Sequence, residues 1–226
     1  MISARVLLRA CRPRQWIKNI LVLTAPVAAG IAFQPRAALE MAVAVVAFTL
    51  AASGIYLVND VVDVEADRAH ATKKRRPVAS GELSVRAAWT AGLVLLLGAL
   101  VISALLTWQL LVVVAIYEAV QLWYCLGMKH EPVIELTSVA SGFLLRAIAG
   151  GVATHIALSQ WFLIAAGFGA LFMAAGKRYA EKRLVQVDGG EAELVGRAVG
   201  VARVDASAGH PHAETVMVVV APAQRG

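Results

Sequence analysis

Three aspartates and an asparagine lie close together in Asn59-Asp60-Val61-Val62-Asp63-Val64-Glu65-Ala66-Asp67, directly after an apolar run of membrane-spanning length. On a helix turning about 100° per residue, Asp63 and Asp67 fall about 60° and about 20° from Asp60, Asn59 falls about 100° away, and Glu65 lies on the far side. One face thus gathers three carboxylates and an amide. Like charges at these spacings repel and weaken an isolated helix, so the stripe calls for a cation. Carboxylate oxygens suit Mg²⁺, which is commonly held by one or two carboxylates, waters and the phosphate oxygens of a substrate. A solvated acidic helix end is the plain alternative. Two neighbours argue against it: the hydrophobic stretch before the stripe, and Lys73-Lys74-Arg75-Arg76 after it.

A second set of polar residues could face this stripe. It comprises Arg14 and Lys18 near the N-terminus, Tyr124, Lys129 and Glu135 around a later loop, and Lys177, Arg178, Tyr179 and Glu181 after the last apolar run. Arginine clamps phosphate through paired N–H bonds, and lysine offers a compact charge. Some of these cations serve only as interface anchors. A Mg²⁺-loaded acidic face beside a cationic face describes a site for two phosphorylated substrates.

The elements that must position these groups are membrane helices. With 59% hydrophobic residues, 16% charged residues and a mean hydropathy of +0.70, the 226-residue chain reads as a polytopic membrane protein. Six apolar segments are expected to span, at about Asn19–Phe33, Ala37–Val58, Val85–Leu106, Leu110–Leu126, Val133–Val152 and Trp161–Gly176. The expected fold is an all-α transmembrane bundle. Arg5, Arg9, Arg12, Arg14 and Lys18 precede the first segment, Arg68, Lys73, Lys74, Arg75, Arg76 and Arg86 separate the second from the third, and Lys129 and the group from Lys177 to Arg183 follow on the same side, against Arg36 alone opposite. The positive-inside rule therefore places both termini, the acidic face and the cationic groups in the cytoplasm. The net charge of +6 reflects that asymmetry, and no nucleic-acid partner is expected.

Smaller features complete the reading. Arg5 to Arg14 interleave with Ile2, Val6, Leu7 and Leu8 as a basic amphipathic stretch for the membrane surface, with Trp16 as interface anchor; a signal peptide is the lesser alternative. Cys11 and Cys125 provide no disulfide framework and are expected to stay reduced. Pro77 and Gly81 break the basic loop, and Ser84 reads as an N-cap. Glu118 and Arg146 fall inside expected spans at similar depth and are expected to form a structural ion pair. Helical periodicity stops after Leu184, so a bundle over residues 1–184 is followed by a poorly ordered tail over 185–226. Within that tail His210 and His212 carry no metal expectation, and Met217–Ala221 is too short to span.

The pattern Asn-Asp-x-x-Asp-x-x-x-Asp after the second apolar segment resembles the first signature of the UbiA-type membrane prenyltransferase superfamily. Members that bind isoprenoid diphosphates typically carry a second aspartate-rich motif after the sixth span, where this chain has Gly176-Lys177-Arg178-Tyr179-Ala180-Glu181. That run, the stretch from Tyr124 to His130 and Leu145-Arg146-Ala147-Ile148-Ala149-Gly150-Gly151 resemble the decaprenyl-phosphate phosphoribosyltransferase branch, over residues 12 to about 184. The resemblance implies nine helices around a central cavity, of which six are expected here. It implies transfer of a 5-phosphoribosyl group from phosphoribosyl diphosphate to a polyprenyl (decaprenyl) phosphate in the inner membrane, releasing diphosphate, on the way to arabinan donors for a bacterial cell wall. A lipid phosphate is already an anion and needs no strong general base, so catalysis rests on positioning and on neutralising the departing diphosphate. Asp60 and Asp63, supported by Asn59 and Asp67, would hold Mg²⁺ and the diphosphate. Lys73, Lys129, Lys177 and Arg178 would hold phosphates, Arg14 and Lys18 would serve the entrance, and Tyr124, Glu135 and Glu181 would complete the substrate-binding set.

Other readings stay open at this point. A prenyltransferase moving an isoprenoid chain from its diphosphate to an aromatic acceptor is the nearest, and the absent second aspartate motif counts against it. A transporter would place its charges near the bilayer midplane. An inactive fragment is the third, because an ending like this one after Glu181 is what a frame change or truncation of a coding sequence produces. The bilayer and the two phosphorylated substrates are the expected partners, and a homo-oligomer is left open.

Overall fold

The computed structural model describes residues 3–127, 132–188, 201–204 and 216–219, with backbone alone at 132–133, 177–178, 180–188 and the last two stretches. It divides into two compact units, Met1–Phe172 and Met173–Gly226. The first unit begins with α1 (Ala4–Ala10), a 3-10 segment (Pro13–Leu23) and α2 (Thr24–Ala28). It continues through α3 (Pro35–Val62), α4 (Val64–Ala69), a 3-10 turn (Lys73–Arg75), α5 (Val85–Leu106), α6 (Trp108–Gly127) and α7 (Pro132–Ala153). Helix α8 (Gln160–Asp188) starts in the first unit and ends in the second, where strands β1 (Val201–Val204) and β2 (Val216–Val219) pair antiparallel, Val201 opposite Val219. His210 and His212 lie outside the described residues.

The helical bundle expected from composition is the architecture of the first unit. Helices α3, α5, α6 and the Ile134–Ala153 part of α7 are each long and apolar enough to cross a membrane, and Gln160–Gly176 adds a shorter apolar helix. The first expected span takes a different form. Pro26 lacks the backbone donor that a continuous α-helix through this stretch would need, and residues 13–23 wind as a 3-10 helix of 11 residues before the 5 residues of α2. At about 2.0 Å rise per 3-10 residue and about 1.5 Å per α residue, the pair reaches about 30 Å, the thickness of the hydrocarbon core.

Helix α3 is the central element, packed by α5, α6, α7 and the 3-10 segment. Ala44, Ala47, Phe48, Ala51, Leu57 and Val58 are essentially inaccessible, and from Ala47 to Val61 no residue of α3 is exposed, whereas Leu39 and Val46 of its first half face outward. Small residues let the neighbours approach closely, as they do in membrane bundles. A Cβ on Gly54 would lie 2.8 Å from Leu96 Cγ and 2.9 Å from the Gly92 carbonyl oxygen, so α3 and α5 cross there. Val94, Leu97, Val101 and Leu105 of α5 face outward, as lipid-facing residues should. The Ser84 hydroxyl caps α5 by accepting from the Ala87 amide at 3.3 Å, as its position suggests.

One expectation fails at the level of packing. Arg146 does not pair with Glu118: its Nε donates to Asn19 Oδ1 at 2.8 Å, Nη1 to the Gly142 carbonyl at 2.6 Å and Nη2 to the Tyr117 hydroxyl at 3.1 Å. The guanidinium also lies 4.9 Å from the Tyr117 ring centroid and 5.5 Å from that of Phe48. Similar depth is not adjacency, because rotation of each helix decides which faces meet. Glu118 is 6% exposed and its Oε1 has no hydrogen-bond partner. Trp16 is half-buried, its indole N–H donating to Ser53 Oγ at 3.1 Å and to the Cys11 carbonyl at 3.2 Å.

Candidate active site at the acidic end of helix α3

Asp60 sits in the last turn of α3 and Asp67 in α4, and both are almost completely buried. Burial of a bare carboxylate is costly, so a paired cation is required. Two arginines supply it. Arg12 Nη2 donates to Asp60 Oδ1, and Arg76 Nη1 lies 2.7 Å from Asp67 Oδ2 and 3.4 Å from Asp60 Oδ1. One guanidinium nitrogen thus reaches both carboxylates, in keeping with their nearly coincident positions on the helical stripe.

Asp63 stands apart from that pair. It closes α3 with φ −90° and ψ 6°, the helix is interrupted there, and α4 restarts at Val64. Half-buried, Asp63 accepts from Asn59 Nδ2 at 3.1 Å, while Asn59 Oδ1 accepts from the Cys125 thiol at 3.4 Å. Cys125 belongs to a buried cluster with Ile55, Val58 and Leu96, against which Tyr124 packs. The end of α6 is thereby fixed beside the acidic face. Glu65, on the opposite side as the spacing indicates, is exposed and paired with Arg68 at 2.9 Å.

Local sequence explains how Arg12 and Arg76 arrive. Arg76 is followed by Pro77 and by Val78, which with Leu83 plugs into a cluster containing Leu57 and Val61. The loop folds over those anchors through Ser80 N to Arg76 O at 2.9 Å and Leu83 N to Pro77 O at 2.8 Å, with Gly81 at φ 82° making the turn. Arg12 precedes Pro13, a position where the right-handed helical region is disfavoured, and it adopts φ 53°. A left-handed residue that is not glycine costs about 1 kcal/mol. Its contacts offset the cost: the Asp60 ion pair and the face of Tyr56, 5.0 Å from the guanidinium carbon. Beside it, burial pushes the Cys11 thiol pKa up, with a partial offset from a hydrogen bond to Ser53.

The other expected site residues are distributed as follows. Arg14 and Lys73 are exposed, and Lys18, Tyr124 and Glu135 are half-buried. Lys177, Arg178 and Glu181 lie on α8 in the second unit, and Lys129 lies outside the described residues. Sequence reasoning did not single out Arg12 or Arg76 as carboxylate partners. The apolar anchor after Arg76 was a usable signal for it. Arg12 had only the following proline to separate it from Arg9 and Arg14.

Among the described residues no three His, Cys, Asp or Glu side chains form a metal-holding group. Mg²⁺ bound with a phosphorylated substrate needs only one or two carboxylates, and here one cationic nitrogen already touches Asp60 and Asp67 together. The two carboxylates brought together, Asp60 and Asp67, fit such an ion.

These features define an integral membrane helix bundle with buried, arginine-bridged carboxylates at the polar end of its central helix. The profile of the UbiA prenyltransferase family matches residues 21–187, and the chain belongs to that family. It is 56% identical over 187 residues to decaprenyl-phosphate phosphoribosyltransferase of Mycolicibacterium smegmatis, covering 81% of this chain and 59% of that protein. It is 53% identical over 179 residues to the protein of the same name in Corynebacterium glutamicum, covering 77% of this chain and 54% of that one. The chain therefore spans less than two thirds of the length of these relatives. In fold it matches a UbiA homolog from Archaeoglobus fulgidus whose structure was determined with GPP and Mg²⁺ bound, with a TM-score of 0.67, 21% identity, and coverage of 81% of this chain and 66% of that one.

Proposed function

We propose that the acidic end of α3 binds the diphosphate of phosphoribosyl diphosphate with Mg²⁺, for transfer of the 5-phosphoribosyl group to decaprenyl phosphate. The observation that carries this reading is the pair of buried carboxylates, Asp60 and Asp67, held by Arg12 and Arg76, in a chain 56% identical to a protein named for that reaction. Asp60 and Asp67, with Asp63 and Asn59 beside them, would hold the ion, whose charge offsets that of the departing diphosphate. Arg12 and Arg76 then turn from the carboxylates to phosphate oxygens, for which their planar forks are suited. The sequence pattern assigns further phosphate contacts to Lys73, Lys129, Lys177 and Arg178, gives Arg14 and Lys18 to the entrance, and adds Tyr124, Glu135 and Glu181 to the substrate-binding set. Because the acceptor is already ionised, these residues orient and neutralise rather than abstract a proton. The site faces the cytoplasm from the inner membrane, on the side rich in Lys and Arg, and the product would feed arabinan synthesis.

The test is transfer of label from phosphoribosyl diphosphate to decaprenyl phosphate by purified protein in detergent with Mg²⁺, beside Asp60→Asn. Mg²⁺-dependent product, absent from the variant, is the expected result. Folded protein that yields no product overturns activity for this length of chain. Product from geranyl diphosphate and an aromatic acceptor would replace the reading with prenyl transfer.

A further inference from the structure

A series of polar contacts ties the 3-10 segment to α3. Arg12 meets Asp60, the Trp16 indole donates to Ser53 at 3.1 Å, and Asn19 Nδ2 donates to Thr49 Oγ1 at 2.9 Å. Positions 12, 16 and 19 thus meet 60, 53 and 49 in antiparallel order, each about one turn from the next or two. Beyond them the Val22 carbonyl presses on Gly150 so closely that a Cβ there would overlap it. Asn19 is 1% exposed and bonded through both ends of its amide, because Oδ1 accepts from Arg146 Nε at 2.8 Å. It alone in the series joins three elements: the 3-10 segment, α3 and α7. It lies about 14 Å along the 3-10 axis from Arg12, at about 2.0 Å per residue, too far to share a ligand with it.

We propose that Asn19 is a positioning residue: clamped between Thr49 and Arg146, it sets the register of the 3-10 segment against α3 and so holds Arg12 on Asp60. Such a clamp is needed because the segment has little support of its own. Runs of 3-10 helix beyond three or four residues are uncommon, their hydrogen bonds being poorly aligned, and this one has 11 residues. A slip of one residue turns its face by about 120° and would carry Arg12 off the carboxylate. Single buried polar groups fix register in the same manner between coiled-coil helices. The effect on ligand binding rests on the proposed diphosphate site; the effect on register does not.

Cys11 reports the register directly. It precedes Arg12, is 7% exposed, and its carbonyl accepts from Trp16. Maleimide labelling of the whole chain in detergent, with Cys11 and Cys125 resolved by peptide mass spectrometry, compares native protein with Asn19→Leu and Asn19→Asp. Asn19→Leu is expected to label Cys11 about tenfold faster through local opening, with Cys125 changed less than about twofold. Asn19→Asp keeps an oxygen for Arg146 and is expected to stay within about threefold of native. Should Asn19→Leu not fold, Thr49→Val, which removes one of the two bonds, is expected to raise Cys11 labelling about threefold. Unchanged Cys11 labelling in the folded variant, or equal acceleration at both cysteines, would overturn the proposal. A second arm uses Mg²⁺-diphosphate as probe: Asn19→Leu should weaken its binding, yet add nothing to Arg12→Gln, whereas additive losses would also overturn the proposal. Native protein that does not bind Mg²⁺-diphosphate contradicts the proposed function instead, and the labelling then decides alone.

Discussion

Arg76 and Arg146 are both drawn into the bundle, and they are neutralised in opposite ways. Arg76 keeps a quarter of its side chain accessible and bridges two carboxylates. Arg146 is 5% exposed, donates to an amide oxygen, a backbone carbonyl and a phenol, and has no ion-paired carboxylate among the described residues. The difference separates an exchangeable charge from a fixed one. At the polar end, an incoming anion can take the arginine while an incoming cation takes the carboxylates, so each charge keeps a partner of opposite sign as partners change. At depth, oriented dipoles and aromatic faces stabilise a cation without offering a ligand anything to replace. Arginine suits both settings because its charge persists in each and its N–H groups fan out in a plane.

This contrast can be broken by substitution. On the proposed reading Asp60→Asn should have the largest effect, lowering the phosphoribosyl-transfer rate by about 10³-fold as expected for loss of a preorganised electrostatic group, and lowering the melting temperature in detergent as well, because a buried ion pair is broken. Retained transfer would move the ion to other residues. Arg146→Met should act on stability, costing about 2–3 kcal/mol as three acceptors lose a charged donor. A fluorescence-monitored melt would register it, and an unchanged melt would deny that the cluster is structural. Arg76→Gln should raise the KM for phosphoribosyl diphosphate by about 10- to 100-fold, since a hydrogen bond to a charged group contributes about 1.5–3 kcal/mol. An effect on kcat alone would assign Arg76 to the transition state and not to ground-state binding. Glu118→Gln should have the smallest effect, between neutral and about 1 kcal/mol stabilising, because it removes a carboxylate whose Oε1 is unpartnered. A clear loss of stability there would reveal a partner for Glu118.

Much of this was legible in the chain. Apolar runs set the helices because a bilayer imposes both length and composition. Helical periodicity gathered Asp60, Asp63 and Asp67 on one face; one arginine nitrogen reaches Asp60 and Asp67, while Asp63, at the break between α3 and α4, bonds Asn59 instead. The Ser84 cap followed from local hydrogen-bonding rules. Each of these depends on residues close together in sequence. The pairing of Glu118 with Arg146 did not survive, because depth along two helices is local while their rotation is set by the neighbours they pack against.

Sequence by itself determined that this is a helical membrane protein of the UbiA type with a concentrated acidic face beneath a basic loop. Hydropathy and charge spacing carry that information residue by residue. Only the tertiary structure decided which of the many cations meets which carboxylate. Arg12 reaches across 48 residues to Asp60 and Arg146 across 127 to Asn19. Contacts at such separations depend on how helices rotate and cross, which small residues such as Gly54 and Gly150 permit and no local pattern records.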